Sequence, residues 1–128
     1  MKTISISLLL SFFVFAISAQ ERKSKSDTLC LVQPNDSTEY ELIIFDVKFE
    51  SWFLKNKKPK DFYSLSYYEL KNQQYISYWN SYYMMGKYSD VIENYIDYDR
   101  SANYGLDLEF RLYYYFKYVE NVYSIKLH

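Results

Sequence analysis

Leu106-Asp-Leu-Glu-Phe-Arg-Leu-Tyr-Tyr-Tyr-Phe-Lys-Tyr-Val-Glu-Asn-Val-Tyr123 is the stretch on which the fold turns, because its first half reads in two ways. Leu106, Leu108, Phe110 and Leu112 alternate with Asp107, Glu109 and Arg111, the period of a half-buried strand. Yet Leu108, Leu112, Tyr115, Val119 and Val122 recur at steps of four and three residues across the whole stretch. Opposite them Asp107, Arg111, Tyr114 and Asn121 also keep helical spacing, with Asp107 and Arg111 placed for an ion pair one turn apart. The longer pattern prevails, and the spacing predicts a helix.

Moving toward the N-terminus, Asp90 to Gly105 is acidic and irregular and reads as a long loop. Before it, Leu65, Tyr68, Tyr75, Trp79 and Tyr82 form an apolar stripe interrupted by Asn72. Ser66 and Glu69 have the spacing of a capping box, and Gly86 stands where a left-handed C-cap is wanted. A helix from Ser66 through Met85 is expected. Earlier still, Asp46 stands as an N-cap before Phe49, Trp52 and Phe53, which predicts a short helix over Val47 to Lys55. Lys55, Lys57, Lys58 and Lys60, broken by Pro59, then read as a solvated loop rather than a phosphate grip.

The strand signals are short. Tyr40 to Phe45 is rich in β-branched and aromatic residues, and Leu29 to Val32 is a brief apolar run. Pro34-Asn-Asp-Ser37 between them is a turn cluster, so a hairpin is expected there. Tyr123 to Leu127 alternates and is read as a returning strand. These elements give an α+β class: two or three main helices packed on a small antiparallel sheet.

The first nineteen residues read as an export signal. Lys2 is the positive start, Ile4 to Ile17 is apolar apart from Ser5, Ser7 and Ser11, and Ala16, Ser18 and Ala19 are small. That core is too short to span a bilayer, which takes about 20 apolar residues. Residues 1–19 are therefore assigned as signal peptide, 20–35 as a flexible leader with a short strand, and 36–128 as one globular domain. No transmembrane span is expected after cleavage. Cys30 is the only cysteine, so no internal disulfide can form, and it lies well past the position a lipid-modified cysteine would take.

The chain carries 15 basic and 16 acidic residues, for a net charge of −1, which leaves no electrostatic footprint for nucleic acid. His128 is the only histidine, which removes triad and histidine-metal chemistry in practice. Asp97, Asp99, Ser101 and Asn103 have the spacing of a calcium loop. However, Ala102 stands where glycine is required and Leu108 where a bidentate glutamate is required. Pairs such as Asp97 or Asp99 with Glu93 or Glu109 could in principle serve a glycosidase, although any acidic domain offers such pairs. No catalytic residue, cofactor or metal site is assigned.

Tyrosine is the compositional oddity: all 17 lie between Tyr40 and Tyr123. They read first as an aromatic core with hydroxyls at its rim, and second as an exposed surface that stacks on a sugar, a peptide or a partner. The acidic loop holds both rings and carboxylates and is expected to be ordered. Tyr95, Asp97, Tyr98, Asp99 and Tyr104 are accordingly the candidate ligand-contact residues.

Tyr40-Glu-Leu-Ile-Ile-Phe-Asp46, Phe49-Glu-Ser-Trp-Phe53, Phe62-Tyr-Ser through Trp79-Asn80, and Glu93-Asn-Tyr-Ile-Asp-Tyr-Asp99 through Tyr104-Gly-Leu106 together carry a resemblance. They resemble an uncharacterised family of small exported proteins typical of the Bacteroidetes lineage, over roughly Asp36 to Glu120. The resemblance implies export but brings no activity, cofactor or catalytic residue. Many members resemble lipoproteins with a cysteine at the cleavage site, which this chain lacks. Members favour Pro-Gly after the Phe-Asp pair, where this chain has Val47-Lys48, so a different turn into the first helix is expected. The expected function is that of a non-enzymatic periplasmic or envelope protein, binding or structural, with another envelope protein as partner. A carbohydrate- or peptidoglycan-binding module is the alternative, and a carboxylate-dependent hydrolase comes third.

Overall fold

The computed structural model describes residues 29–33 and 39–128. The assigned signal, residues 20–28 and 34–35 of the leader and the Pro34–Ser37 turn lie outside the described residues. Strand β1 (Leu29–Val32) pairs antiparallel with β2 (Glu41–Ile44), in a register that sets Leu29 opposite Ile44 and Leu31 opposite Leu42. Leu42 and Ile44 turn toward the core while Glu41 and Ile43 face water, the alternation a one-sided sheet requires. Three helices follow: α1 (Phe49–Asn56), α2 (Leu65–Met85) and α3 (Leu106–Tyr123), with a single 3₁₀ turn at Lys60–Phe62. The α+β class is as expected.

Helix α1 starts two residues later than the sequence predicts, because Asp46 caps a turn and not the helix itself. Its Oδ1 accepts from the Lys48 amide at 3.0 Å and its carbonyl from the Phe49 amide at 3.2 Å, closing a turn through Val47-Lys48. Its Oδ2 accepts from the Tyr118 hydroxyl at 2.9 Å and from the Tyr123 hydroxyl. The cap position falls to Lys48, which makes no side-chain cap.

Helix α2 is capped by Ser64, not by Ser66. The Ser64 hydroxyl accepts from the Tyr67 amide at 3.2 Å. The staple decides between the two serines: Tyr63, just before the cap, packs edge-on against Tyr68 in the first turn, with ring centroids 5.8 Å apart. The helix ends at Gly86 as expected, at φ 68°, with the Lys87 amide donating to the Tyr82 carbonyl.

Helix α3 packs against both α1 and α2, so its buried face is far wider than one stripe. Tyr113 to Phe116 are all buried, and Tyr114, placed on the polar side by the spacing, is only 5% exposed. Val122 is instead 44% exposed, since the chain reverses at Ser124 (φ 56°) and it is Ile125 and Leu127 that enter the core. The expected Asp107–Arg111 pair does not form. Asp107 bonds Lys60 and Arg111 bonds Glu50, because each reaches a neighbouring element. Tyr123 to Leu127 forms no strand. Its alternation records the burial of Ile125 and Leu127, and the Lys126 carbonyl is taken by the Tyr82 hydroxyl at 2.7 Å.

The core is mainly aromatic, with rings meeting edge to face, as between Phe49 and Tyr115 (5.5 Å) and between Phe53 and Phe110 (5.7 Å). Such pairs add about 0.5–1.5 kcal/mol each beyond the area they bury. Among the described residues no helix is long and apolar enough to cross a membrane.

Candidate functional site

The long loop between α2 and α3 is pinned to the scaffold by side-chain amides. The Asn80 side chain clamps Ile96 at two points: its Nδ2 donates to the Ile96 carbonyl at 2.9 Å, and its Oδ1 accepts from the Ile96 amide at 2.8 Å. Asn94 grips Leu29 in the same way, donating to its carbonyl at 2.7 Å and accepting from its amide at 3.4 Å. Asn94 thereby satisfies backbone groups of β1 that have no strand neighbour there. Trp79 Nε1 donates to the Asn94 carbonyl at 2.7 Å, and Ile92 and Ile96 are buried beneath the loop. Trp79 is itself fully buried, so its role is to hold this loop and not to meet a ligand.

Farther along, Tyr98 turns inward and donates its hydroxyl to Glu109 Oε1 at 2.7 Å. Asn72 Nδ2 donates to Glu109 Oε2 at 2.7 Å and to the Glu109 carbonyl at 2.9 Å. Glu109 is sealed from solvent, and burial pushes its carboxyl above the ordinary range, against the opposing pull of the Asn72 and Tyr98 hydrogen bonds. Burial and the adjacent Glu109 carboxylate likewise push the Tyr98 hydroxyl up. Asn72, which looked like an interruption of the α2 stripe, is therefore the partner of a buried acid. The signal present in the sequence was Asn72 itself, a polar residue on the apolar stripe of α2, whereas Glu109 read only as one polar residue of an alternating run.

The five residues proposed from the sequence do not converge on one site. Tyr95, Asp97 and Tyr98 line an open groove of about 410 Å³ between the C-terminal half of α2 and the loop, together with Gln73, Met84 and Arg100. Of these, Tyr95 points outward and is 53% exposed, while Asp97 faces water. Asp99 is exposed but its carboxylate closes a turn, accepting from the Ser101 amide at 2.9 Å and the Ser101 hydroxyl at 2.7 Å. Those bonds hold it below the usual carboxylate range. Tyr104 is buried: it stacks on Tyr98 with centroids 4.9 Å apart and meets Tyr40 at 4.5 Å. Its hydroxyl accepts from the Asp99 amide at 2.9 Å, so Tyr104 shapes the loop from within. Gly105 follows with φ 83°, a conformation that favours glycine.

Beside the groove, an apolar patch remains uncovered. Met84 is 78% exposed, Met85 and Tyr83 are exposed with it, and the Tyr83 and Tyr95 rings meet edge to face at 6.5 Å. Among the described residues no group of three or more metal-ligating side chains converges. No curated protein and no solved structure matches this chain. Its family is nonetheless shown, because a family model matches residues 6–128, nearly the whole length: the chain belongs to the family of unknown function DUF6146.

Proposed function

We propose that this is an exported, non-enzymatic binding protein of the cell envelope or periplasm, of the kind common in the Bacteroidetes lineage, whose partner is another envelope protein. Residues 1–19 support the export half of the reading by their charge, apolar core and small-residue boundary. The observation that carries the binding half is the uncovered patch of Tyr83, Met84, Met85 and Tyr95 beside the α2–loop groove. Tyrosine and methionine are enriched where proteins meet, and methionine adapts its shape to a partner. Asp97 and Arg100 at the edge supply both charges of a polar rim, which sets orientation more than strength. The loop is tied down by Asn80, Asn94 and Trp79, so little ordering cost remains on association.

The test is capture from envelope extract with the mature protein, alongside Met84→Glu and Tyr95→Ala. The expected result is one polypeptide retained by the wild type and lost with either variant, which in turn captures the protein when it is purified and immobilised. Equal retention by wild type and both variants would remove the patch from the reading.

A further inference from the structure

A second groove, of about 320 Å³, lies where α1, the segment after it and α3 meet. Its walls are aromatic: Trp52 and Tyr63 are half-buried, and Tyr113 and Tyr114 are buried behind them. These rings are held in place. Trp52 packs edge-on against Tyr118 at 5.5 Å, Tyr63 stacks on Tyr67 at 4.0 Å, and the Tyr114 hydroxyl accepts from the Lys58 amide at 2.9 Å. Lys58, Lys117, Asn56 and Asn121 complete the lining, and no acidic residue lines it.

These polar groups retain capacity for a ligand. Among the described residues Lys58 has no carboxylate at ion-pair distance, and its Nζ rests 4.1 Å from the centre of the Phe62 ring. Lys117 interacts with the Tyr75 hydroxyl and has one carboxylate neighbour, Glu120 at 3.6 Å, whose other oxygen bonds His128, so one of its three N–H donors is left for a ligand. The Asn56 amide gives one N–H to the Trp52 carbonyl at 2.8 Å, leaving its second N–H and its oxygen, and Asn121 is exposed.

Two half-buried aromatic rings, Trp52 and Tyr63, beside two lysines and two asparagines suit a ligand with one apolar face, hydroxyl or amide edges, and a negative charge. A pyranose ring offers the face and the edges, because its axial C–H groups pack on aromatic rings while its equatorial hydroxyls point sideways. A carboxylate on that ring completes the match to the ammonium groups. The volume lies within the range of small-ligand sites, roughly 300–1,000 Å³. We propose that this groove binds a sugar unit bearing a carboxylate. Two sources share that chemistry, a hexuronic acid and a carboxyalkyl amino sugar, and the arms of the test separate them.

The chain has two tryptophans, and Trp79 is fully buried, so a ligand-induced change in tryptophan emission reports on Trp52. The purified protein is titrated with glucuronate and with N-acetylmuramic acid, against glucose, N-acetylglucosamine and inorganic phosphate. The expected result is saturable binding of at least one acidic sugar, with Kd on the order of 1 mM or tighter, and binding of its neutral counterpart weaker by about tenfold or more. Lys58→Gln with Lys117→Gln should weaken binding about tenfold while leaving far-UV circular dichroism unchanged, and Trp52→Phe should abolish the signal. Should the double variant fold poorly, the exposed Lys58→Gln alone must still weaken binding. Met84→Glu, which tests the other surface, leaves this titration unaltered, so the two proposals fail separately. Equal response to the acidic and neutral sugars, the same response to phosphate alone, unchanged binding by the lysine variants, or no response at all would each overturn the proposal.

Discussion

Tyr98 and Glu109 join the long loop to α3 through one hydrogen bond of 2.7 Å, and that bond ends on a carboxyl sealed from water. Glu109 sits between Tyr98 of the loop and Asn72 of α2, with Glu69 adding like charge from α2, so three elements meet on a single acid.

This arrangement makes stability depend on pH in a defined direction. Burial raises the Glu109 pKa in the folded state above its unfolded value, so the folded protein binds the proton more tightly. The associated stability is fully present below the unfolded pKa and is lost as pH rises through the raised folded one. Glu109→Gln cannot ionise, and it can still turn its oxygen to Asn72 and its amide to the Tyr98 oxygen. The variant should therefore gain stability relative to wild type as pH rises from 4 toward 8, values within the span where raised carboxyls titrate. Urea melts of both proteins across that range check the sign; a difference that stays constant with pH would show that Glu109 does not titrate there.

Trp79 is a structural residue with two jobs, filling the core and holding Asn94. Trp79→Ala should cost about 3–5 kcal/mol through the cavity it leaves. Trp79→Phe retains a ring but leaves the Asn94 carbonyl without its donor, at a cost of about 1–3 kcal/mol. Chemical denaturation measures both. Amide exchange at Leu29 should quicken in the Phe variant, because Asn94 also grips β1.

The loop should give a mixed pattern of hydrogen exchange rather than a uniform one. The Ile96, Asp99 and Ala102 amides donate to Asn80 Oδ1, the Tyr104 hydroxyl and the Asp99 carbonyl respectively, and are expected to exchange slowly. Tyr104→Phe removes the acceptor of the Asp99 amide and should speed that position without releasing Ile96. Exchange of all three within seconds in the wild type would contradict the bonding described.

Export is tested by mass. The protein recovered outside the cytoplasm should begin at Gln20 and carry no lipid on Cys30. A chain that retains Met1 to Ala19, or a diacylglyceryl addition, would reverse the assignment of residues 1–19.

Much of the architecture is written in local spacing. The long run of fours and threes through Leu108, Leu112, Tyr115 and Val119 was enough to choose helix over strand for α3. Gly86 marked the end of α2, because a left-handed residue is a property of one position and its neighbours. The hairpin strands were legible for the same reason, since alternation and a turn cluster act over a few residues.

What tertiary structure alone decided is which side chain meets which across long separations. Asp46 keeps one oxygen on the turn before α1 and gives the other to two tyrosines more than seventy residues away. Tyr114 was drawn inside because α3 packs on both α1 and α2, a fact no stripe on α3 records. The candidate surfaces obey the same division. Tyr95, Asp97 and Tyr98 share a groove because Asn80 and Glu109 direct the loop that carries them, while Asp99 and Tyr104 are spent holding that loop in shape. Helical and strand periods follow from bond geometry within a few residues, whereas a groove exists only where elements distant in sequence come together.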